Sequence, residues 1–197
     1  MKFVDEEIRK IEEEVLRLHE VAKEATKLLF RSMRGDKTVI REILKLEELS
    51  DELEVKIHDD CAHFIMRFHP VAKNLRFALG IFRISSAYER IVDLALEISL
   101  YDCKFRERIF GAEEPLMAMF ETLEKAFGEL KIPTESMIGL DDIIDGIYIE
   151  GLEEVERDFR CVDEVLAIRH IERIGDLLCK IATRLVYIKE GKWVWIK

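Results

Sequence analysis

Two short stretches carry the residues most able to do chemistry. Residues 168–176 read IRHIERIGD, and 87–93 read AYERIVD. Each sets a glutamate four residues before an aspartate, inside a run otherwise apolar enough to be buried helix. The two stretches correspond, and so do two others ahead of them: Leu49-Ser50-Asp51 matches Ile143-Ile144-Asp145, each with an acid four residues before its aspartate. Four acid pairs result: Glu47/Asp51, Glu89/Asp93, Asp141/Asp145 and Glu172/Asp176. At that spacing both members lie on one helix face, about 6 Å apart. Clustered carboxylates repel one another, and a cation lets them stay ionised together. All-oxygen donor sets favour hard cations such as Mg, Ca, Mn or oxidised iron, and many bridging carboxylates suit more than one ion. The competing reading is ion pairing along the helices. Arg90 and Arg173 follow the two glutamates, Arg169 precedes Asp176 by seven residues, and Lys180 stands four after it.

The elements that must position these acids are helices. Apolar residues recur at helical spacing almost throughout, with only three prolines and nine glycines to interrupt them. Helix 1 is expected over Val4 to Met33, where Ile8, Ile11, Val15, Leu18, Ala22, Ala25 and Leu29 form a bundle seam ended by Gly35 and Asp36. Helix 2 follows over Lys37 to Phe68, with Val39, Ile43, Leu46, Leu53, Ile57 and Phe64 on one stripe; Pro70 breaks it, and helix 3 runs from Val71 to Arg108. After a linker at Gly111 to Pro115, helix 4 covers Leu116 to Leu130, and Lys131 to Ser136 holds the breaker Pro133. Helix 5 spans Ile138 to Arg157, a turn covers Asp158 to Cys161, and helix 6 spans Val162 to Glu190, closed by Gly191. The expectation is an all-α chain of two tandem three-helix repeats, residues 1–110 and 111–197, built from long antiparallel helices.

Hairpin register then brings the pairs together. Asp51 lies 19 residues before Pro70 and Glu89 lies 19 after it, while Glu47 and Asp93 are each 23 away. In the second unit Asp145 with Glu172, and Asp141 with Asp176, share a midpoint between Asp158 and Phe159, inside the expected turn. Each unit therefore gathers four carboxylates at one height.

Composition narrows the function. A net charge of −10 argues against nucleic acid as the main partner, because phosphate contacts need a basic face. The opening MKFVDEEIRK has no apolar signal segment and no run approaches a membrane span, so a cytoplasmic location is expected. Cys61, Cys103, Cys161 and Cys179 show neither CxxC spacing nor disulfide-scaffold density and are read as reduced thiols in helix interiors. The chain has no glutamine and one asparagine, Asn74, amid abundant Glu, Lys and Arg, a pattern of heat-adapted proteins. His19, His58, His63, His69 and His170 form no Glu-x-x-His pair and are read as surface or capping residues. No Gly-rich phosphate loop, serine elbow or Cys–His pairing is present, which disfavours an enzyme. The tail KWVWIK, with Trp193 and Trp195, is expected to pack on the bundle end, an exposed partner contact being the alternative.

The paired ERI[VG]D segments, HPVAKNLR at 69–76 and the glycine after helix 6 resemble the PhoU family of phosphate-uptake regulators, over nearly the whole chain. The resemblance implies two three-helix-bundle repeats and multinuclear metal clusters, iron or zinc, on the acid pairs: Glu47, Asp51, Glu89, Asp93, Asp141, Asp145, Glu172 and Asp176. It implies a non-catalytic negative regulator, coupling the ATPase subunit of a phosphate ABC transporter to a sensor histidine kinase, and a homodimer. The chain departs from the family pattern at Asn74, where aspartate is usual, at Val92 in place of a glycine, and at Leu177 and Lys180 in place of histidine and asparagine. Two other functions fit the residues: an accessory protein of a non-ABC phosphate carrier, and a carboxylate-bridged metal store or metalloenzyme, for which manganese or magnesium would also serve.

Overall fold

A computed structural model describes residues 2–128, 132–194 and 196 of the 197-residue chain. It is all-α, with no strand among the described residues. Six long helices form two three-helix units: α1 (Lys2–Met33), α2 (Ile40–Phe68) and α3 (Lys73–Ser99), then α5 (Glu113–Gly128), α6 (Thr134–Arg157) and α7 (Val162–Glu190). A one-turn helix, α4 (Glu107–Phe110), lies between them. Within each unit the three helices pack on one another, and α3 packs along α7 to join the units. A single apolar core runs through both units.

The helix-1 seam is buried as expected from Ile11 to Leu29, and the helix-2 stripe buries Val39, Ile43, Leu53, Ile57 and Phe64. The helix ends follow backbone chemistry. His69 takes a left-handed conformation (φ 45°) to close α2, and Ala72 also has positive φ (50°), so α3 starts at Lys73 rather than Val71. Gly191 (φ 72°) closes α7, its amide returning to Tyr187 O at 2.9 Å. The expected end of helix 4 at Leu130, with Lys131 beyond it, lies outside the described residues.

Helix 3 is shorter than its apolar pattern implies, ending at Ser99 rather than Arg108. Its terminal carbonyls are satisfied from elsewhere: Lys37 Nζ donates to Ser99 O (3.0 Å) and Tyr101 O (2.7 Å), and the Ser32 hydroxyl donates to Ser99 O (2.9 Å). The segment that follows is bolted to the α6–α7 turn. Asp102 N donates to the Asp163 carboxylate, Arg106 pairs with the buried Glu164 and with the Asp158 carbonyl, and Cys103 forms a disulfide with Cys161.

The thiol expectation is therefore corrected for two cysteines of four. Cys61 and Cys179 are buried and free within helices. Cys103 and Cys161 lie in the two interhelical connections, with Cα atoms 6.6 Å apart, within bridging range. The bridge spans 58 residues, and a loop that long loses about 4 kcal/mol of unfolded-state entropy in the chain-entropy account. Cys103→Ser should lower the thermal midpoint measurably, and dithiothreitol should lower the wild type to the same value while leaving the variant unmoved.

Candidate functional site

The first unit gathers its acids as register demands. Glu47 and Asp51 stand on α2, Glu89 and Asp93 on α3, and the raised proton affinities of three of them report their mutual field. Burial first, and then the charges of Asp93, Glu54 and Asp51, push the Glu89 carboxyl up to about 7. Asp51 is raised by burial and by Asp93, and Glu47 by burial and by Asp51 and Asp93. Among the described residues Arg90 pairs with Asp93 at 2.8 Å, and His58 Nε2 lies 3.7 Å from Glu54. Glu54 is the member that spacing arguments pass over, although it lies one helical turn beyond Asp51.

The second unit is built differently. Asp141 is buried, with Oδ1 3.5 Å from where a Cβ on Gly175 would stand, and it hydrogen-bonds the Cys179 side chain. Burial and the charges of Asp141, Asp176 and Asp145 push the Cys179 thiol far above its ordinary range. Glu172 is buried and pairs with Arg169 at 2.7 Å; Asp176 faces Lys180 at 3.8 Å. The departure at Lys180 thus places an ammonium where the second set would hold a cation.

Gly175 lies at a close approach of two helices. A Cβ at this position would come within 3.1 Å of Ile144 Cδ1, so the small residue lets α6 lie close against α7.

The acid sets are gathered but not drawn tight. Among the described residues the one trio whose ligand atoms all lie within 4.8 Å is a different one: His19, Glu20 and Glu124. The reading of His19 as a surface or capping residue is corrected, since its side chain is fully buried and its Nδ1 lies 2.8 Å from Tyr88 Oη. The sequence carries a signal for this: His19 falls four residues after Val15 and three before Ala22, on the edge of the buried seam. His58 stacks on Phe82 with ring centroids 3.6 Å apart, and His170 hydrogen-bonds Tyr101 at 3.1 Å.

A groove of about 760 Å³ runs between α3 and α7. Arg83, Arg90, Lys180 and Arg184 line it together with Leu79 and Phe82, and Trp193 closes one end. Trp193 stacks on Tyr187 and lies beneath the Arg184 guanidinium, 4.5 Å in each case, so the tail packs on the bundle while remaining 59% exposed. Trp195 lies outside the described residues. No described helix is long and apolar enough to cross a membrane.

Paired three-helix units with in-register acid pairs on α2, α3, α6 and α7 define a helical-repeat scaffold with two acidic centres. The solved structures it resembles share that architecture: PhoU from Pseudomonas aeruginosa (TM-score 0.85, 20% identity, covering 95% of this chain and 99% of that one) and the phosphate transport system regulatory protein PhoU from Streptococcus pneumoniae (TM-score 0.81, 21% identity, 97% and 99%). At the sequence level, the PhoU domain profile matches residues 4–101. A phosphate-specific transport system accessory protein PhoU homolog from Archaeoglobus fulgidus is 47% identical over 196 residues, covering 100% of both chains. The corresponding homolog 1 from Thermotoga maritima is 29% identical, over 80% of this chain and 75% of that one. The chain belongs to the PhoU family.

The acidic field has a consequence for stability. The folded chain retains the Glu89 proton up to about pH 7, whereas the unfolded chain releases it near 4.5, so the folded state binds more protons between those values. Buried His19, held down at about 4, contributes the opposite slope and is common to both proteins, so the stability of chelator-treated wild type relative to Glu89→Gln should fall as pH rises from 5 to 7.5. A stability difference between wild type and Glu89→Gln that stays level across this range refutes the shared acidic field.

Proposed function

We propose that this chain is a non-catalytic adaptor that negatively regulates a phosphate ABC transporter and the accompanying starvation response, with metal ions held on its acid pairs. The observation that carries the reading is the 47% identity, over the whole chain, to an accessory protein of phosphate-specific transport. The family profile ends at Tyr101, in line with a repeat boundary between α3 and α5 and with units of residues 1–110 and 111–197. The reading places the protein in the cytoplasm as a homodimer, with the transporter's ATPase subunit as its first partner and a sensor histidine kinase as its second.

Binding rather than turnover suits the geometry. Long helix faces supply docking area, and the α3–α7 groove offers apolar side chains beside four cations in a chain of net charge −10. An acidic helix on the ATPase subunit has the complementary chemistry. At the acid pairs, Glu47, Asp51, Glu89 and Asp93 supply the all-oxygen donor set that hard or oxidised metal ions favour, and an ion would relieve the repulsion that raises Glu89. Asp141, Asp145, Glu172 and Asp176 form the second set, in competition with Arg169 and Lys180.

Proteoliposomes holding the phosphate ABC transporter test the regulatory role. Added protein should reduce phosphate uptake, and Arg83→Glu with Arg184→Glu should weaken its binding to the ATPase subunit at least about tenfold. Unchanged uptake together with no binding refutes the reading; binding to a non-ABC phosphate carrier instead favours the alternative accessory role. Elemental analysis of protein purified without added metal should find iron, zinc or manganese at more than one ion per chain, reduced in Glu172→Ala/Asp176→Ala. Equal metal in both proteins would remove the second acid set from the ligands.

A further inference from the structure

We infer that His19, Glu20 and Glu124 form a site for one divalent ion of the zinc class, which ties α1 of the first unit to α5 of the second. The site lies apart from the acid pairs and draws on different chemistry. Its three ligand atoms already lie within 4.8 Å of one another. Ligands at about 2.0–2.2 Å from zinc stand roughly 3.4 Å apart in a tetrahedron, so a movement of about 1 Å closes the set. The two glutamates can make it, because their side chains are half exposed (59% for Glu20, 50% for Glu124) and each carries rotatable bonds.

The histidine is the part that points to a ligand. Its side chain is 0% exposed, and Nε2 is buried without a hydrogen-bond partner, its nearest acid oxygen being Glu20 Oε1 at 3.9 Å. A buried ring nitrogen left unpaired is costly, and a metal ion satisfies it directly. The other ring nitrogen is held: Nδ1 lies 2.8 Å from Tyr88 Oη, and the ring edges Tyr88 and Phe120. With Nδ1–H donating to Tyr88 Oη, the Nε2 lone pair faces the two carboxylates, the outer hydrogen-bonding arrangement common to metal-bound histidines. An imidazole beside two carboxylates selects zinc-class ions over magnesium or calcium.

Lys23 is the present counter-charge. Its Nζ lies 3.0 Å from Glu124 Oε2 and 3.9 Å from Glu20 Oε1. Ammonium and metal ion therefore compete for the same carboxylates, and the lysine holds both acids over the imidazole when no ion is bound. The open groove beside Glu12, Leu16 and Phe127 gives an ion its way in.

The test uses the full chain, stripped with chelator and then titrated with Zn²⁺ against a chromophoric competitor, the site being read as the difference between wild type and variant, since the acid pairs are common to both. His19 lies in the core, so the exposed glutamates carry the test. Glu20→Gln/Glu124→Gln should lose one zinc equivalent and the zinc-dependent rise in thermal midpoint, while keeping the metal-free midpoint. Lys23→Met should bind zinc more tightly, and Tyr88→Phe about 10–100-fold more weakly. Unchanged zinc stoichiometry in the double glutamine variant, or no tightening in Lys23→Met, overturns the site.

Discussion

The contact on which the rest of the molecule depends is the antiparallel packing of α3 on α7. These helices carry equivalent motifs, and their pairing is close enough to demand a glycine. A Cβ on Gly80 would fall 2.4 Å from Ile188 Cγ1, so the Ile188 side chain would have to give way to it. At the far end Tyr101 meets His170. Between those anchors the register of the antiparallel pair brings Asp93 level with Asp176. A larger residue at position 80 would force Ile188 to repack where the two helices meet.

Much of this was legible beforehand because it depends on period and register. The seam from Ile11 to Leu29 needs only a three–four spacing, and an antiparallel hairpin follows from a breaker such as Pro70 between two long stripes. Equal distances to that breaker placed Glu47 and Asp51 opposite Asp93 and Glu89, and the mutual field of these acids is that juxtaposition expressed in their proton affinities. Gly191 closing α7 is equally local, since a left-handed terminal residue favours glycine.

What stayed hidden is decided by atoms far away in the chain. The apolar residues of segment 100–110 fit a helix as well as a docked strap. Lys37, Asp163 and Glu164 settle the matter by taking its polar groups, and none of them is near it in sequence. Cys103 and Cys161 become neighbours only once that strap lies on the α6–α7 turn. His19 reads as an ordinary polar residue until Tyr88 and Phe120, from two other helices, enclose it.

The two acidic centres, drawn from one repeat, have diverged through a change in which helix carries the bulk. In the repeat correspondence Ser50 of the first unit matches Ile144 of the second, and Val92 matches Gly175, which lies against Ile144. Large and small have traded places, which keeps the helix spacing while altering what lies beside the acids. In the second unit the space over Gly175 admits the Asp141 carboxylate, which is thereby buried against Cys179. In the first, Val92 is buried, and Glu47 and Asp51 remain nearer solvent. Burial demands a partner for each charge, and the second unit meets that demand with Arg169, Lys180 and a thiol. In the first, among the described residues, Arg90 pairs with Asp93 and His58 lies beside Glu54, while Glu47, Asp51 and Glu89 raise one another's proton affinity. Of the two centres, the first therefore has the greater electrostatic need for an added cation.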